Sequence, residues 1–481
     1  MELITNDPIY ILPSLKIENP PITKLAKLYE PIFNSYMKLY KKLTHFKSGK
    51  IEMQLIPSEK KKQKKNTKLQ SYALYIFTEL KKNHYPTLLE LYKRQGITNT
   101  EMGEIDIFID NIAKTSFFNC MCWINEFGNK LMNGLYYYLS INKIPKDIMD
   151  NIIIKTPEIY GEFASIDIQK YIESYISNSY KYNISCDNVT VNLDINTSKC
   201  YKLGKDIDKL LIRSLILGVV HNKTHQMDIS IWMTKMKKQL PSRKAHITSP
   251  GSTAVPNMKL LGPREINSGS SSGSGISIWR EEESKKLIIH ECIHNLNLDF
   301  RMSPSRLNEI SDIFNISPDT SIKFFEAYTE ICACIINSII CSLETNHKFS
   351  LDLCLQYLEY ETKFSCYQIA KILVFFGFNK MDDFLKQYDG RNRFRQTTSV
   401  FSYFFIKGTF LYNLDKFLEF LDKHCHIIDI PNDQLIIDSL FELFLTLKSN
   451  KNFIYDLDSL MVKMKNFPLI GDSLRMTCVE V

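Results

Sequence analysis

Apolar residues recur at helical spacing over Leu25–Leu43 and Leu69–Lys82, so residues 1–185 read as mainly helical. The periodicity changes near Asn188. Val189–Ile195 alternates apolar and polar residues, as a half-buried strand does. Ile207–Val220 returns to helical spacing, and Met227–Trp232 alternates again. Arg264–Asn267 and Ile276–Arg280 read as two further short strands, separated by Ser268–Gly275, which is almost wholly Ser and Gly. A long apolar helix follows. Beyond Pro318 the pattern is helical throughout, with Phe324–Leu343, Leu351–Phe376, Ser399–Leu414, Leu435–Leu447 and Ile454–Met464 as the main elements. The expected fold is α+β and mostly helical. A helical N-terminal region (1–185) precedes a core with a small mixed sheet (186–345), and a helical C-terminal region (346–481) follows.

Composition narrows the function classes. Of 481 residues, 44% are hydrophobic and 23% charged, a globular balance. The net charge of +7 is too modest to argue for a nucleic-acid partner. The run Glu59-Lys60-Lys61-Lys62-Gln63-Lys64-Lys65 lacks interleaved aromatics and reads as a solvated loop. The 12 Cys are scattered, and Cys332, Cys334, Cys341, Cys354 and Cys366 fall in apolar helical stretches, as buried thiols of a reducing compartment do. The pairs Cys120/Cys122 and Cys332/Cys334 lack a second pair at zinc-ribbon spacing. The first residues form no secretory signal. The longest apolar run, Ile331–Ile340, is too short to span a bilayer. A cytoplasmic protein without a membrane span is expected.

His290-Glu291-Cys292-Ile293-His294 is H-E-x-x-H. Residues four apart share a helix face, so both imidazoles can reach one ion. Glu291 lies about 100° around the axis from His290 and can face the same cavity as a base without ligating. Arg280-Glu281-Glu282-Glu283 precedes the motif, and acids suit a helix N-terminus. A catalytic zinc site needs a third protein ligand. The metzincin extension H-E-x-x-H-x-x-G-x-x-H fails, because Asn297 and Phe300 occupy its last two positions. The ligand must come from elsewhere, and Glu326 and Glu330 stand four apart in an apolar helical stretch, 32 residues after His294 in the case of Glu326. Buried carboxylates need a cation or strong hydrogen bonds. Glu326 as ligand with Glu330 behind an imidazole satisfies both; the reversed roles, or an ion pair with a nearby Lys, are the alternatives. His221 and His225 repeat the four-residue spacing without a Glu, and Lys223 beside them opposes a cation. His424-Cys425-His426 places its histidines together only if extended. Neither reads as a catalytic site.

H-E-x-x-H followed by a helical E-x-x-x-E resembles the gluzincin clan of zinc peptidases, which includes thermolysin and the clostridial neurotoxin light chains. Trp279-Arg280-Glu281-Glu282 and the Lys/Asn/Ile-rich text also look like zincin-like proteins of giant nucleocytoplasmic DNA viruses, which puts the protein in host cytoplasm or virion. The gluzincin resemblance covers about residues 280–331. It implies a zincin-like core, a zinc cofactor, a protein or peptide substrate laid along an edge strand, and Glu291 as general base. It also implies an oxyanion donor further along the chain, for which Tyr328, Arg395, Tyr403, His424 and His426 are candidates and Tyr403 is favoured. A vestigial zincin fold used for binding or virion structure, and a zinc hydrolase of non-peptide substrates, are the competing expectations.

Overall fold

Three alternating segments form the middle of a five-stranded mixed sheet in order β1-β2-β3-β5-β4. The computed structural model describes residues 123–124, 127–128 and 164–480, apart from 187–188, 200–205, 222, 224, 242–258, 273–274, 318–321, 347–348, 386–392 and 467–471. The early helical stretches, the Lys60–Lys65 run, Cys120 and Cys122 lie outside the described residues. The elements are α1 (Ile166–Tyr175), β1 (Asn178–Cys186), β2 (Val189–Thr197), α2 (Asp206–Val220), β3 (His225–Trp232), α3 (Pro263–Ile266), β4 (Gly269–Ser272) and β5 (Gly275–Ile278). They continue with α4 (Ser284–Asn295), α5 (Pro304–Ile313), α6 (Phe324–Asn346), α7 (Leu351–Phe376) and α8 (Met381–Leu385). A π-helical turn, Phe401–Ile406, leads into α9 (Lys407–Tyr412), followed by α10 (Leu414–His424), α11 (Gln434–Leu447) and α12 (Lys451–Asn466).

Register makes one apolar face of the sheet. β2, β3 and β5 run parallel, so that Leu193, Ile229 and Ile276 form one row and Ile195, Ile231 and Ile278 the next. All six are buried. Contacts of α2 with β1 and β2, and of α4 with β4 and β5, cover the sheet, and α2 also packs on α4. β4 pairs antiparallel with β5 and, among the described residues, has no second strand neighbour, which makes it an edge of the described sheet. Gly275 starts β5 at φ +138°, where a Cβ would sit 2.5 Å from the Asp228 carbonyl oxygen. Only glycine fits that close approach.

The helices after the motif are bounded by ordinary chemistry. The Ser350 side chain accepts from Leu353 N–H at the start of α7, and Gly377 ends it at φ +87°. Asp433 accepts from Leu435 N–H at the start of α11. The segment Asp472–Glu480 is extended and threads among buried polar groups. Glu283 Oε1 accepts the amides of Met476 and Thr477, and Glu361 Oε1 accepts those of Cys478 and Val479. Lys371 and Lys407 donate to the carbonyls of Ser473 and Met476.

The described chain is mostly helical with a small mixed sheet, in line with the expected class. Several details differ. Arg264–Asn267 is a helical turn after Pro263 rather than a strand, and the fourth and fifth strands are β1 and β4. The expected helical region 1–185 ends in a strand, since the sheet starts at Asn178. The described residues from Ile124 onward fall in one compact unit. α5 and α10 were not anticipated. α6 is long and apolar enough to cross a bilayer by length and composition, but 94% of that stretch is packed inside the protein. The five helical cysteines singled out above are free and buried.

Lys238 and Glu283 form a buried ion pair at 2.6 Å, with side chains 1% and 0% exposed. Lys238→Met leaves the Glu283 carboxylate without its partner, a change that costs about 3–5 kcal/mol. A large fall in the thermal unfolding midpoint is expected. Lys235→Met, which breaks an exposed pair with Glu281, should shift it little. Equal shifts for the two variants would refute this account.

Candidate metal centre

The motif helix is buried on all sides: every residue of α4 from Lys286 to Ile293 is out of water, His290 and Glu291 included. Polar side chains in such a place need partners. One turn of helix puts His290 and His294 on a common face, with Nε2 atoms 3.2 Å apart. α6 packs across this face and brings Glu326 Oε2 to 3.2 Å from His294 Nε2 and 3.3 Å from His290 Nε2. A tetrahedral zinc bonded at about 2.0–2.1 Å keeps its ligand atoms about 3.3–3.4 Å apart. The three atoms therefore form a triangle that matches one face of such a tetrahedron. Among the described residues, these three are the group whose ligand atoms converge closely enough for one ion.

The outer ring nitrogens fix what the inner ones present. His290 Nδ1 lies 2.9 Å from Glu330 Oε2, and His294 Nδ1 lies 2.7 Å from Asp299 Oδ2. A neutral ring with its proton on Nδ1 satisfies the Asp299 contact of His294, the nearby Glu330 charge favours the same tautomer at His290, and the Nε2 lone pairs are left facing inward. Two lone pairs and a carboxylate then point at one spot, an arrangement that could hold a metal ion. Charge gives the same answer. Four carboxylates (Glu291, Asp299, Glu326, Glu330) surround the spot. Two buried ammoniums face them: Lys286, 2.5 Å from Glu330, and Lys407, 4.0 Å away.

Glu326 is thus the carboxylate that meets the inner nitrogens of both imidazoles, and Glu330 stands behind His290. Lys286 is the nearby lysine, and it pairs with Glu330, not Glu326. Asp299 was not anticipated. It reaches His294 because α4 ends in a tight reversal: Asn297 is left-handed at φ +52°, and Leu298 N–H donates to Ile293 C=O at 3.0 Å. The Asn that breaks the metzincin pattern is therefore the residue that turns the chain. A carboxylate five residues past the second His was the available signal.

Glu291, the two histidines and Glu326 line a cleft of about 840 Å³, together with β4 and Tyr403. Gly269 lets β4 lie close. A Cβ there would sit 2.7 Å from Glu291 Oε1 and 3.1 Å from the Ser277 carbonyl oxygen. Tyr403 comes from the π-helical turn, a feature common at functional sites. Its hydroxyl donates to Glu326 Oε2 at 3.0 Å. Of the five oxyanion candidates, Tyr403 alone lines the cleft. The Tyr328 hydroxyl is buried and donates to the Ile428 carbonyl. His424 packs on Phe420, and Arg395 and His426 lie outside the cleft lining. His225 does line it, paired through Nε2 to Asn295 Oδ1 at 2.8 Å and not to His221.

No family model, curated protein or solved structure matches this chain. The site is read from its own geometry.

Burial works against every charge here, and the partners decide the outcome. Burial would lower the His294 imidazole, yet the Glu326 charge and the Asp299 contact raise it well above its usual value. His290 is raised too, by Glu326 and Glu330 against the same burial. Burial would raise Glu326, but His294 and His290 hold it well below the usual carboxylate range. For Glu291 burial wins over both histidines, and its carboxyl is raised, which suits a base. Burial, then the Glu326 charge, raises the Tyr403 phenol and keeps it a donor.

Replacing either outer carboxylate, by Glu330→Gln or Asp299→Asn, should weaken zinc binding about 10–100-fold in chelator competition. An unchanged affinity overturns the assignment. The two imidazoles hold protons natively above the unfolded value of about 6.5. The metal-free protein is therefore stabilised by those protons below that pH, and loses this stability as pH rises through the raised native range. A metal ion replaces the protons. The rise in unfolding midpoint on adding zinc should be larger at mildly alkaline than at mildly acidic pH; a pH-independent rise contradicts the ligand set.

Proposed function

We propose that this protein is a zinc-dependent peptidase of the gluzincin type, acting as an endopeptidase. The observation that carries the reading is the convergence of His290 Nε2, His294 Nε2 and Glu326 Oε2 within 3.2–3.3 Å, beside Glu291 and under a sheet edge. Zinc, when bound there, supplies Lewis acidity that polarises a carbonyl and acidifies water. The protein's own residues supply the rest. Glu291 takes a proton from the attacking water and delivers it to the departing amine nitrogen. Its raised pKa strengthens it as the base in the first half of that transfer. The Tyr403 hydroxyl, held at the cleft by Glu326, donates to the oxygen that gains charge. β4 presents to the cleft an edge with no strand partner among the described residues, which suits an extended peptide bound through main-chain hydrogen bonds. Its Gly-Ser-Ser-Ser sequence adds little side-chain bulk. A cleft with base, donor and strand edge in place supports catalysis over a fold kept only for binding.

Hydrolysis of a peptide mixture, followed by mass spectrometry, tests the reading. Glu291→Gln should lose about 10²–10⁴-fold in turnover while retaining one zinc. Tyr403→Phe should lose about 10²–10³-fold in kcat with metal content unchanged. Intact turnover in zinc-loaded Glu291→Gln sinks the mechanism.

A further inference from the structure

β4 is four residues long, reads Gly-Ser-Ser-Ser and, among the described residues, pairs with β5 alone. A short edge strand of poor strand formers is held only weakly by its ladder. Carboxamide side chains hold it at both ends. Asn267, two residues before β4, accepts the Thr398 hydroxyl on Oδ1 at 2.7 Å. Asn295, on α4 directly after His294, donates from Nδ2 to the Ser272 carbonyl at 3.3 Å. All four residues line the cleft. The first contact ties β4 to the loop that carries Tyr403, whose amide donates to the Ser399 carbonyl at 2.9 Å. The second ties it to the motif helix.

The second contact is the informative one. A lone hydrogen bond of 3.3 Å at an exposed strand end holds little, because the amide plane of Asn turns easily about its last torsion. His225 stops that rotation, with Nε2 2.8 Å from Asn295 Oδ1. Asn295 Nδ2 is committed to a carbonyl, so the atom that meets the ring is an acceptor and the ring donates from Nε2. Both ends of the amide are then used, and its orientation is fixed. His225 opens β3 and pairs there with Val189 of β2, in the middle of the sheet. The chain of contacts therefore runs from a central strand through α4 to the cleft edge. His225 lines the cleft but is not among the residues whose ligand atoms converge on one ion. Asn295 leaves α4 about 100° around the axis from His294. The placement it enforces is a close one. At the other end of β4, a Cβ on Gly269 would sit 2.7 Å from Glu291 Oε1, so a small shift of the strand changes the gap between edge and base.

We propose that Asn295 and His225 are positioning residues for the substrate, fixing the β4 edge where the main chain of a bound peptide meets it. The proposal rests on the peptidase reading of the cleft. Neither residue touches the reacting atoms. Their part lies in binding an extended chain through its peptide groups, and it is shared by substrates of different side-chain sequence. Loss of such a contact weakens ground-state and transition-state binding alike, and shows in KM rather than in kcat.

Two measurements on the zinc-loaded full chain test it. Hydrogen exchange of the amides of residues 269–272 reads the placement of the strand without turnover. Steady-state kinetics on a cleaved peptide reads the consequence. Asn295→Ala and His225→Phe should each speed that exchange and raise KM about threefold to tenfold, with a smaller change in kcat and unchanged zinc content. Asn295→Asp keeps an acceptor for His225 but loses the donor to Ser272, so it should be impaired at least as much as Asn295→Ala. His225→Gln offers an amide donor in place of the ring and should recover most of the loss. The double variant His225→Phe/Asn295→Ala should be no worse than Asn295→Ala, because the ring acts through the amide. The rescue and the double variant separate positioning from general destabilisation. Unchanged exchange overturns the proposal, as does faster exchange with an unchanged KM or a fall confined to kcat. If the unaltered protein cleaves no peptide, the peptidase reading fails and the substrate role falls with it, while exchange still reports whether the two residues hold the strand.

Discussion

Glu326 and Glu330 stand one turn apart on α6, the first mostly buried at the cleft wall and the second wholly buried, and the surroundings of α4 are arranged around keeping them charged. Each buried carboxylate loses several kcal/mol of hydration unless partners restore it. Glu326 finds them in the two inward imidazole nitrogens, and Glu330 in His290 Nδ1 and Lys286. His290 therefore touches both carboxylates through its two nitrogens. Rotating α4 by one residue swings these groups by about 100° and strands both charges. The packing of the two helices and the construction of the ligand triangle are the same set of interactions.

This requirement spreads outward from α4. Its first residues are held by Glu283, left-handed at φ +65°, whose carboxylate pairs with Lys238 and accepts two amides from the Asp472–Glu480 segment. The acids before the motif thus serve less as partners of the helix dipole than as acceptors for a distant strand of chain. Lys407 joins the same network from the other side. It approaches Glu330 and donates to the Met476 carbonyl. The extended segment has few backbone partners of its own, so side chains satisfy its amides and carbonyls. In return it fixes the carboxylates and ammoniums that frame the metal centre.

The parts legible in the sequence are those with a local physical signature. H-E-x-x-H fixes its geometry through helix spacing alone. Glu326 and Glu330 were visible because two carboxylates in an apolar stretch need explaining. Alternation marked β2, β3 and β5. What stayed hidden depends on tertiary partners or lacks a local pattern. Asp299 matters only because Asn297 turns the chain back, and its place five residues past His294 is the one local hint of it. Lys286 looks like any helix-surface lysine until Glu330 arrives from 44 residues away. α10 carries a clear amphipathic repeat, Leu414, Phe417, Leu418 and Leu421, and was obscured by the longer apolar run before it.

β4 shows why propensity misleads at this site. Gly and Ser are poor strand formers, so composition alone marks no strand over Gly269–Ser272. The strand forms because β5 offers it a ladder, and its composition answers to the cleft. At Gly269 a side chain would occupy the space of the Glu291 carboxylate. Larger residues would improve the strand and displace the base. The sequence there breaks the local rule for strands in order to let an edge and a carboxylate share the floor of one cleft, and such a conflict between local preference and global structure is where a functional constraint is expected to lie.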